Sequence, residues 1–334
     1  MTPRVDVLMP TYNHARYVAQ AIESVLAQEA GFAYRLVVAD DCSTDGTQDI
    51  IRSYAARHPD AITAVFAPKH IGIISEERLS FKVLEQCHAE FVALLEGDDY
   101  WADPRKLQKQ VAFLDRRPDC AIVFHDALTV FEDGSQEPRR MCPPGLKEIS
   151  TLETILRGNF IPTCSVLFRR GLFGEIPRWM YTLLMGDWPL HILNAEHGDI
   201  GYIDETMAVY RVHGRGLWSS RSYLARVEGE VRVYDALRKH FGRDRRALIL
   251  DCLRERLGIL AGGYDVEGDL EKSETYTRRY VSEMLRAGQA PGWRFTLALL
   301  RLSAPPLYVP LRQLKRALVG AGRRPRPAGT TDKH

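Results

Sequence analysis

Residues 91–101 read Phe-Val-Ala-Leu-Leu-Glu-Gly-Asp-Asp-Tyr-Trp, and this segment joins a short apolar run to a dense group of carboxylates. Five apolar residues between polar neighbours predict a buried strand. Glu96, Asp98 and Asp99 follow at its end, where adjacent carboxylates repel one another and need a cation or hydrogen-bond donors. Their hard oxygen atoms suit Mg²⁺ or Mn²⁺, ions that usually complete their coordination with substrate phosphates. The alternative is a solvated acidic turn.

The residues on both sides of this segment alternate between strand and helix patterns. Short apolar runs predict strands, and apolar residues on one helical face predict helices. Strands that alternate with helices form a parallel sheet covered by helices, so we expect an α/β fold. The predicted strands are 5–9, 36–39, 62–66, 91–95 and 121–124, and the predicted helices are 14–28, 47–57, 75–88 and 104–116.

The carboxyl ends of the predicted strands carry polar or turn-rich segments. In open α/β sheets, ligands bind at this edge. We therefore expect four segments to converge on one cleft, namely residues 10–13, 40–47, 69–72 and 96–101.

The rest of the chain is less regular. Residues 150–153 match a capping box that opens a short helix. Strands are predicted at 164–168 and 200–203, and a helix between them at 186–196. From 220 to 287 the pattern is helical and rich in charged residues.

Four motifs in this order resemble those of family 2 glycosyltransferases, which have the GT-A fold. They are Pro10-Thr11-Tyr12-Asn13, residues 40–47, residues 96–99 and Tyr210-Arg211-Val212-His213. The resemblance covers roughly residues 4–215. It implies an inverting transfer of a sugar from a nucleotide donor, with UDP expected as the nucleotide, to an acceptor hydroxyl.

The resemblance also implies a role for each matching residue. Asp41 would accept a hydrogen bond from the nucleobase, with Tyr12 stacked near it, and Asp98 would hold the ribose or bridge to the sugar. Asp99 would bind the metal, Mn²⁺ or Mg²⁺, on the donor diphosphate. His213 would close the site as a further metal or phosphate ligand. The other residues expected to bind the nucleotide sugar are Pro10, Thr11, Asn13 and Lys69.

By the same resemblance, Asp187 matches the catalytic base near the start of a helix. Inverting transfer needs one carboxylate to take the acceptor's proton, and a divalent cation can neutralise the departing diphosphate. Asp187 also stands two residues before Pro189, where Asp is a favoured helix cap. The pattern alone favours the cap and the resemblance favours the base, although one residue can do both.

Other assignments have alternatives too. A lone histidine such as His213 is usually structural. His70 stands where the family usually has Asn, which leaves the nucleobase contact there open and gives Lys69 a phosphate contact as its expected role. We interpret Asp45 as a turn former.

The resemblance leads to a division of the chain into three regions. The GT-A domain would be residues 1–218, with a donor half at 1–125 and an acceptor half at 126–218. A helical extension would follow at 219–288. A basic amphipathic tail would occupy 289–334, with a disordered end.

The bulk composition of the 334 residues is that of a soluble globular protein, with 45% hydrophobic and 26% charged residues. No apolar run is long enough to span a bilayer, and the first residues lack the apolar region of a signal peptide. The cysteines form no Cys-x-x-Cys pair, so neither zinc nor a disulfide framework is expected, and a cytoplasmic location fits best. They are Cys42, Cys87, Cys120, Cys142, Cys164 and Cys252.

The charge is unevenly distributed along the chain. Residues 1–283 carry 35 basic and 42 acidic side chains, whereas residues 284–331 carry nine basic and no acidic ones. An acidic body argues against nucleic-acid binding. The tail interleaves aromatic and basic residues over 291–326, which favours peripheral contact with an anionic membrane surface. A tail packed on the body or on a second copy is the alternative.

Other enzyme classes fit less well. A Rossmann dehydrogenase needs Gly-x-Gly-x-x-Gly after the first strand, and a sugar nucleotidyltransferase needs a glycine-rich loop there, but residues 10–13 contain no glycine. A non-catalytic subunit that binds a sugar nucleotide would be expected to lose Asp99 or Asp187. The favoured function is synthesis of a bacterial-type cell-surface glycan or glycoconjugate, with a glycan, lipid-linked or protein acceptor.

Overall fold

The computed structural model describes residues 2–214, 216, 218, 220–287, 298, 300, 302 and 303. Apart from four isolated positions, the predicted basic tail with its membrane-binding segment therefore lies outside the described residues. The chain divides into two compact units. The first is Met1–Ser222 with Asp235–Ile249, and the second is Tyr223–Tyr234 with the residues from Leu250 onward.

A mixed sheet of ten strands forms the centre of the first unit. Its strands are Val5–Thr11 (β1), Tyr34–Asp40 (β2), Ile62–Phe66 (β3), Phe91–Leu94 (β4), Tyr100–Trp101 (β5), Cys120–Phe131 (β6), Arg139–Arg140 (β7), Ile149–Ser150 (β8), Leu167–Arg169 (β9) and Asp199–Val212 (β10).

The strand order is β3-β2-β1-β4-β9-β6-β10-β5, with β7 on β6 and β8 on β10. Strands β1 to β4 are mutually parallel, because β1 pairs in parallel with β2 and β4, and β2 with β3. The short β9 runs antiparallel to both β4 and β6. The predicted mostly parallel sheet is confirmed, and β9 together with the two-residue strands β5, β7 and β8, which also pair antiparallel, makes it mixed.

Helices cover the sheet and then continue the chain. They are Val18–Leu26 (α1), Thr47–Arg57 (α2), Leu79–Glu85 (α3), Lys106–Arg116 (α4), Leu152–Arg157 (α5), Asp187–Ala195 (α6), Tyr223–His240 (α7), Arg243–Glu267 (α8) and Leu270–Arg286 (α9). The core between sheet and helices contains buried aliphatic residues of β1, α1, β2 and α4, such as Val7, Ile22, Val38 and Leu107. Burial of such side chains stabilises the fold by about 1.5–3 kcal/mol each.

Several predicted boundaries change in the structure. β6 and β10 have 12 and 14 residues, far longer than the apolar runs that predicted them, because they pair with each other almost throughout. The capping box lies one residue later than predicted: Thr151 is the N-cap of α5, and its partner is Thr154 rather than Glu153. Helix α2 and strand β3 have the predicted bounds.

The second unit contains helical segments from α7, α8 and α9, so the predicted helical extension is present. A polar network ties them together, because one carboxylate oxygen of Glu228 accepts hydrogen bonds from Tyr264, Tyr276 and Lys272 at 2.8, 3.0 and 3.3 Å. None of the described helices combines the length and apolarity that a membrane crossing requires.

Candidate active site

The carboxyl ends of β1, β2 and β4 meet at one edge of the sheet, where the predicted motifs contact one another. The backbone N–H of Asn13 donates to Ser43 Oγ at 2.8 Å, and Thr44 N–H donates back to Asn13 Oδ1 at 2.9 Å. Asn13 has a φ of 55°, a left-handed conformation that Asn tolerates better than most residues. These exchanges fix the loop after β1 against the loop after β2.

Two aspartates of the loop after β2 are bound by surrounding donors. Asp40 is fully buried and accepts hydrogen bonds from Thr11 Oγ1, Gln48 Nε2, and the backbone and hydroxyl of Ser43. Asp45 accepts from the N–H groups of Thr47 and Ala15, which is the predicted turn-forming role. Both carboxylates shape the loop.

Asp41 connects the loop after β2 to the loop after β3. Its two oxygens accept the N–H groups of Ile71 and Gly72, each at 2.8 Å, and His70 Nδ1 lies 3.0 Å from Oδ2. The His70 ring stacks on Tyr12, with centroids 4.2 Å apart and planes at 25°. The structure therefore brings two predicted nucleobase-binding residues, Asp41 and Tyr12, to either side of His70.

The remaining predicted donor-binding residues lie around this group. Pro10 and Thr11 are in β1, and Thr11 is buried with its hydroxyl on Asp40. Lys69 follows β3 with an exposed side chain.

Asp98 lies between two histidines. His213 Nε2 is 3.0 Å and His14 Nε2 is 3.7 Å from Asp98 Oδ2. Burial acts to raise the pKa of Asp98, but the hydrogen bond from His213 and the charge interaction with His14 bring it below its ordinary value. Gly97 makes this packing possible, because a Cβ atom there would lie 2.4 Å from Thr11 Cγ2 and 3.0 Å from His14 Nδ1.

Asp99 lies deeper than Asp98, with only 1% of its surface exposed. Its Oδ1 accepts the N–H of Arg211 at 2.8 Å, while its Oδ2 is buried and has no hydrogen-bond partner among the described residues. Burial, together with the charges of Asp98 and Glu96, raises the pKa of Asp99 well above its ordinary value. Asp99 thus fixes the end of β10, two residues before His213.

Glu96 and Arg78 lie close enough at this edge for their charges to influence each other. Burial and the charges of Asp98 and Asp187 raise the pKa of Glu96 to about 8, opposed by Arg78. Burial lowers the pKa of Arg78, and both Asp187 and Glu96 oppose that shift. The guanidinium packs against Gly186, where a Cβ atom would lie 2.6 Å from Nη2. A larger residue just before Asp187 would displace Arg78.

Asp187 is the first residue of α6, and the helix has no side-chain cap. The N-cap position belongs to Gly186, so the capping role that the pattern favoured is absent. Instead, Asp187 Oδ2 accepts from Asn159 Nδ2 at 3.1 Å and Thr163 Oγ1 at 3.0 Å. One turn further on, His191 is completely buried with neither ring nitrogen hydrogen-bonded to any described residue.

The donor set can be tested against a divalent cation. No group of three or more His, Cys, Asp and Glu side chains in the described part of the chain has the arrangement of a metal site. Asp98 and His213 nevertheless place an oxygen and a nitrogen 3.0 Å apart, with Asp98 partly exposed. Two protein ligands suit a Mg²⁺ or Mn²⁺ ion that takes its other ligands from a diphosphate and water.

Sequence reasoning missed four residues at this site: His14, Arg78, Asn159 and Thr163. His14 directly follows the first motif and Arg78 lies in the segment predicted as helix 75–88, but no pattern marked either side chain. Asn159 and Thr163 lie between α5 and β9, 24 to 28 residues before Asp187, so only the fold reveals their contact with it.

A family model, described as Glycosyl transferase family 2, matches residues 6–176, just over half of the chain. The matched segment ends before Asp187 and His213. An uncharacterised protein of Mycobacterium tuberculosis (strain ATCC 25618 / H37Rv) is 38% identical over 218 residues, which cover 65% of this chain and 61% of that protein. The putative teichuronic acid biosynthesis glycosyltransferase TuaG of Bacillus subtilis (strain 168) is 29% identical over 66% of this chain and 83% of its own length.

Solved structures of two glycosyltransferases share the fold. TarS 1–349 of S. aureus in complex with UDP matches with a TM-score of 0.59 and 21% identity, over 84% of this chain and 80% of that one. The mannosyltransferase PcManGT of Pyrobaculum calidifontis in complex with GDP-Man and Mn²⁺ matches with a TM-score of 0.54 and 20% identity, over 96% and 86% of the two chains. The predicted GT-A fold is confirmed.

Proposed function

Because this chain belongs to glycosyl transferase family 2, we propose that it transfers a sugar, with inversion, from a nucleotide-linked donor to an acceptor hydroxyl. The observation that carries the proposal is the state of Asp187. One of its carboxylate oxygens is held by two side-chain donors, and the other has no hydrogen-bond partner among the described residues. A single displacement needs one such oxygen to take the proton of the attacking hydroxyl.

The donor would bind where the loops after β1, β2 and β3 meet. Asp41 offers carboxylate oxygens to the base, and Tyr12 offers a ring for stacking. We propose a uridine diphosphate sugar, and the complex of TarS with UDP on the same fold supports this choice. The other predicted donor-binding residues, Pro10, Thr11, Asn13 and Lys69, remain part of the proposal.

Of the two neighbouring aspartates at the end of β4, we propose Asp98 rather than Asp99 as the metal ligand. The sequence predicts Asp99 and His213 as metal ligands, but the burial of Asp99 and its bond to Arg211 favour a positioning role for Asp99. Asp98 and His213 are better placed to hold a Mn²⁺ or Mg²⁺ ion. When bound, the cation would offset charge on the departing diphosphate. Arg78 would add a fixed positive charge beside Glu96 and Asp187.

The acceptor and the location complete the proposal. TuaG, named for teichuronic acid synthesis, supports an acceptor in a cell-surface glycan, which would be a polysaccharide, a lipid-linked glycan or a glycosylated protein. We propose a cytoplasmic enzyme held at the inner face of the membrane through residues 291–326. This part rests on the sequence of the tail.

The test is a panel of nucleotide sugars incubated with the full chain and Mn²⁺ or Mg²⁺. Hydrolysis, in which water replaces the acceptor, reports the reaction without a known acceptor. We expect one uridine diphosphate sugar to be turned over. Asp187→Asn should lower that rate by about 10²–10⁴-fold and leave UDP binding unchanged.

The matched control is Asp119→Asn, a surface carboxylate paired only with Arg117 among the described residues. It should retain the full rate. Normal turnover by folded Asp187→Asn would refute the assignment of the base. Absence of turnover and of binding with every nucleotide sugar would refute the enzyme function.

A further inference from the structure

The carboxylate of Asp187 is held asymmetrically. Asn159 Nδ2 and Thr163 Oγ1 both donate to Oδ2, at 3.1 and 3.0 Å. No described residue donates to Oδ1, and α6 does not use either oxygen as a cap. Two side chains from outside the helix therefore determine how this carboxylate is turned.

The orientation of both donors is fixed by their own chemistry. A threonine hydroxyl has one proton, so a Thr163 that donates to Asp187 has none left for another acceptor. The amide of Asn159 can be placed in two ways, but its Oδ1 accepts the N–H of Ile161 at 3.1 Å. That bond requires the NH₂ group to be the end that faces Asp187.

The backbone directly after Thr163 is anchored to residues of β5 and α4. The carbonyl of Cys164 accepts Trp101 Nε1 at 2.9 Å, and the carbonyl of Ser165 accepts Gln110 Nε2 at 2.8 Å. Trp101, Gln110, Cys164 and Ser165 are all buried, and Thr163 is half-buried. Asn159, in contrast, is exposed on the loop after α5. Thr163 is therefore the rigid member of the pair, and Asn159 is the adjustable one.

We propose that Thr163 and Asn159 are positioning residues, which hold Asp187 Oδ2 so that Oδ1 faces the attacking hydroxyl. This inference rests on the proposed function, in which Asp187 is the base. Proton transfer depends on a base held in hydrogen-bond reach of the reacting group, and displacement of a catalytic group by about 1 Å can cost about 10²-fold in rate. Loss of one donor would leave Oδ2 held by a single hydrogen bond, so the carboxylate could turn more easily.

The experiment compares Thr163→Val, which has the same shape without the hydroxyl, with Thr163→Ser, which keeps it. Both are measured for hydrolysis of the uridine diphosphate sugar found in the panel. Thr163→Val should lower kcat by about 10-fold to 100-fold with KM for the donor unchanged. Thr163→Ser should retain kcat within about threefold. If Thr163 were only structural, its replacement would not lower kcat while leaving KM unchanged, and serine would not preserve kcat better than valine does.

Asn159→Ala supplies the second measurement, because an exposed loop residue tolerates truncation. It should lower kcat by about three- to tenfold, again with KM unchanged. Thr63→Val, an exposed threonine of β3, is the control and should have the wild-type rate. Thermal unfolding checks that each variant is folded.

The outcomes separate this inference from the proposed function. If Asp187→Asn is inactive while Thr163→Val and Asn159→Ala keep wild-type kcat, the positioning role is refuted and the base stands. If folded Asp187→Asn remains active, the proposed function fails first. If Thr163→Val does not fold, a wild-type kcat for Asn159→Ala would still refute the inference.

Discussion

Two groups of carboxylates at the same edge of the sheet differ in how their hydrogen-bonding capacity is used. In the loop group, Asp40, Asp41 and Asp45, every carboxylate oxygen accepts at least one hydrogen bond from a described residue. In the cluster group, Glu96, Asp98, Asp99 and Asp187, Asp99 Oδ2 and Asp187 Oδ1 have no described donor. The loop group has the pattern of a structural element.

The pKa values point the same way. Those of Glu96 and Asp99 are raised by burial and by neighbouring negative charge, whereas that of Asp98 is lowered by its histidines. Titratable groups with shifts in opposite directions are typical of functional sites, because such arrangements cost stability and are retained where chemistry needs them. The loop group thus builds the wall of the site, and the cluster group is where the chemistry is expected.

The largest effect that would sharpen this comparison is loss of metal-dependent nucleotide binding. Asp98→Asn removes the negative charge of the carboxylate that we propose as a metal ligand. The affinity for UDP in the presence of Mn²⁺ should therefore fall by more than about 100-fold. Asp99→Asn keeps an oxygen for the N–H of Arg211 and acts only through the position of His213. Outer-shell changes of this kind cost about 10–100-fold, and we expect the lower end of that range.

Calorimetric titration of UDP with and without Mn²⁺ distinguishes the two variants. Binding without the metal should be little changed in either. A larger loss for Asp99→Asn than for Asp98→Asn would restore the assignment made from the sequence and would contradict the geometry.

The second effect concerns stability in the loop group. Asp40→Ala removes a fully buried carboxylate and leaves the buried donor of Thr11 and the half-buried donors of Ser43 and Gln48 without their acceptor, which should lower the free energy of unfolding by about 3–5 kcal/mol. Asp49→Ala, an exposed helix residue, should change it by less than about 1 kcal/mol. Urea unfolding followed by circular dichroism measures both. An Asp40→Ala variant of normal stability would show that the loop group is not a structural element.

The sequence predicted the elements that local patterns determine. Helix α2 and strand β3 have the predicted bounds, because an amphipathic face and a short apolar run define them without help from distant residues. Asp45 was interpreted as a turn former for the same reason. The convergence of loops followed from topology alone, since parallel strands end at one edge. Family membership and the GT-A fold are confirmed as well.

The sequence could not predict features that depend on distant contacts. β6 and β10 extend well beyond their apolar runs because each is the other's partner. The depth of Asp99 relative to Asp98 is set by Arg211, more than 100 residues away. Asn159 and Thr163 reach Asp187 only because the chain between α5 and β9 folds back on α6. No periodicity or motif carries such information.

The third effect is the response of the site to acid. Burial lowers the pKa of His191 to about 4, although Asp187 acts to raise it. A histidine of the unfolded chain has a pKa of about 6.5, so between pH 4 and 6.5 His191 binds more protons in the unfolded chain than in the folded one. The free energy of unfolding should therefore fall as the pH drops from about 6.5 towards 4, by about 1.4 kcal/mol per unit from this residue.

His191→Leu should reduce that slope, as measured by urea unfolding at several pH values. His58→Gln, which changes an exposed histidine, should leave the slope as it is. Equal slopes for wild type and His191→Leu would contradict the lowered pKa and would mean that the folded protein gives His191 a polar partner or water.

The smallest effect tests the outer rim of the loop group. Lys69 is exposed and follows β3 directly beside His70, so a contact with a donor phosphate would be a solvent-screened charge interaction. Such pairs contribute about 0.2–1 kcal/mol, so Lys69→Ala should weaken UDP binding by no more than about fivefold. The loss should shrink as salt rises from 0.05 to about 0.5 M, because the Debye length falls below 10 Å. Lys82→Ala, an exposed lysine of α3, is the matched control and should bind UDP normally. A salt-independent loss, or equal losses in both variants, would remove Lys69 from the donor site and leave phosphate recognition to the cation proposed at Asp98 and His213.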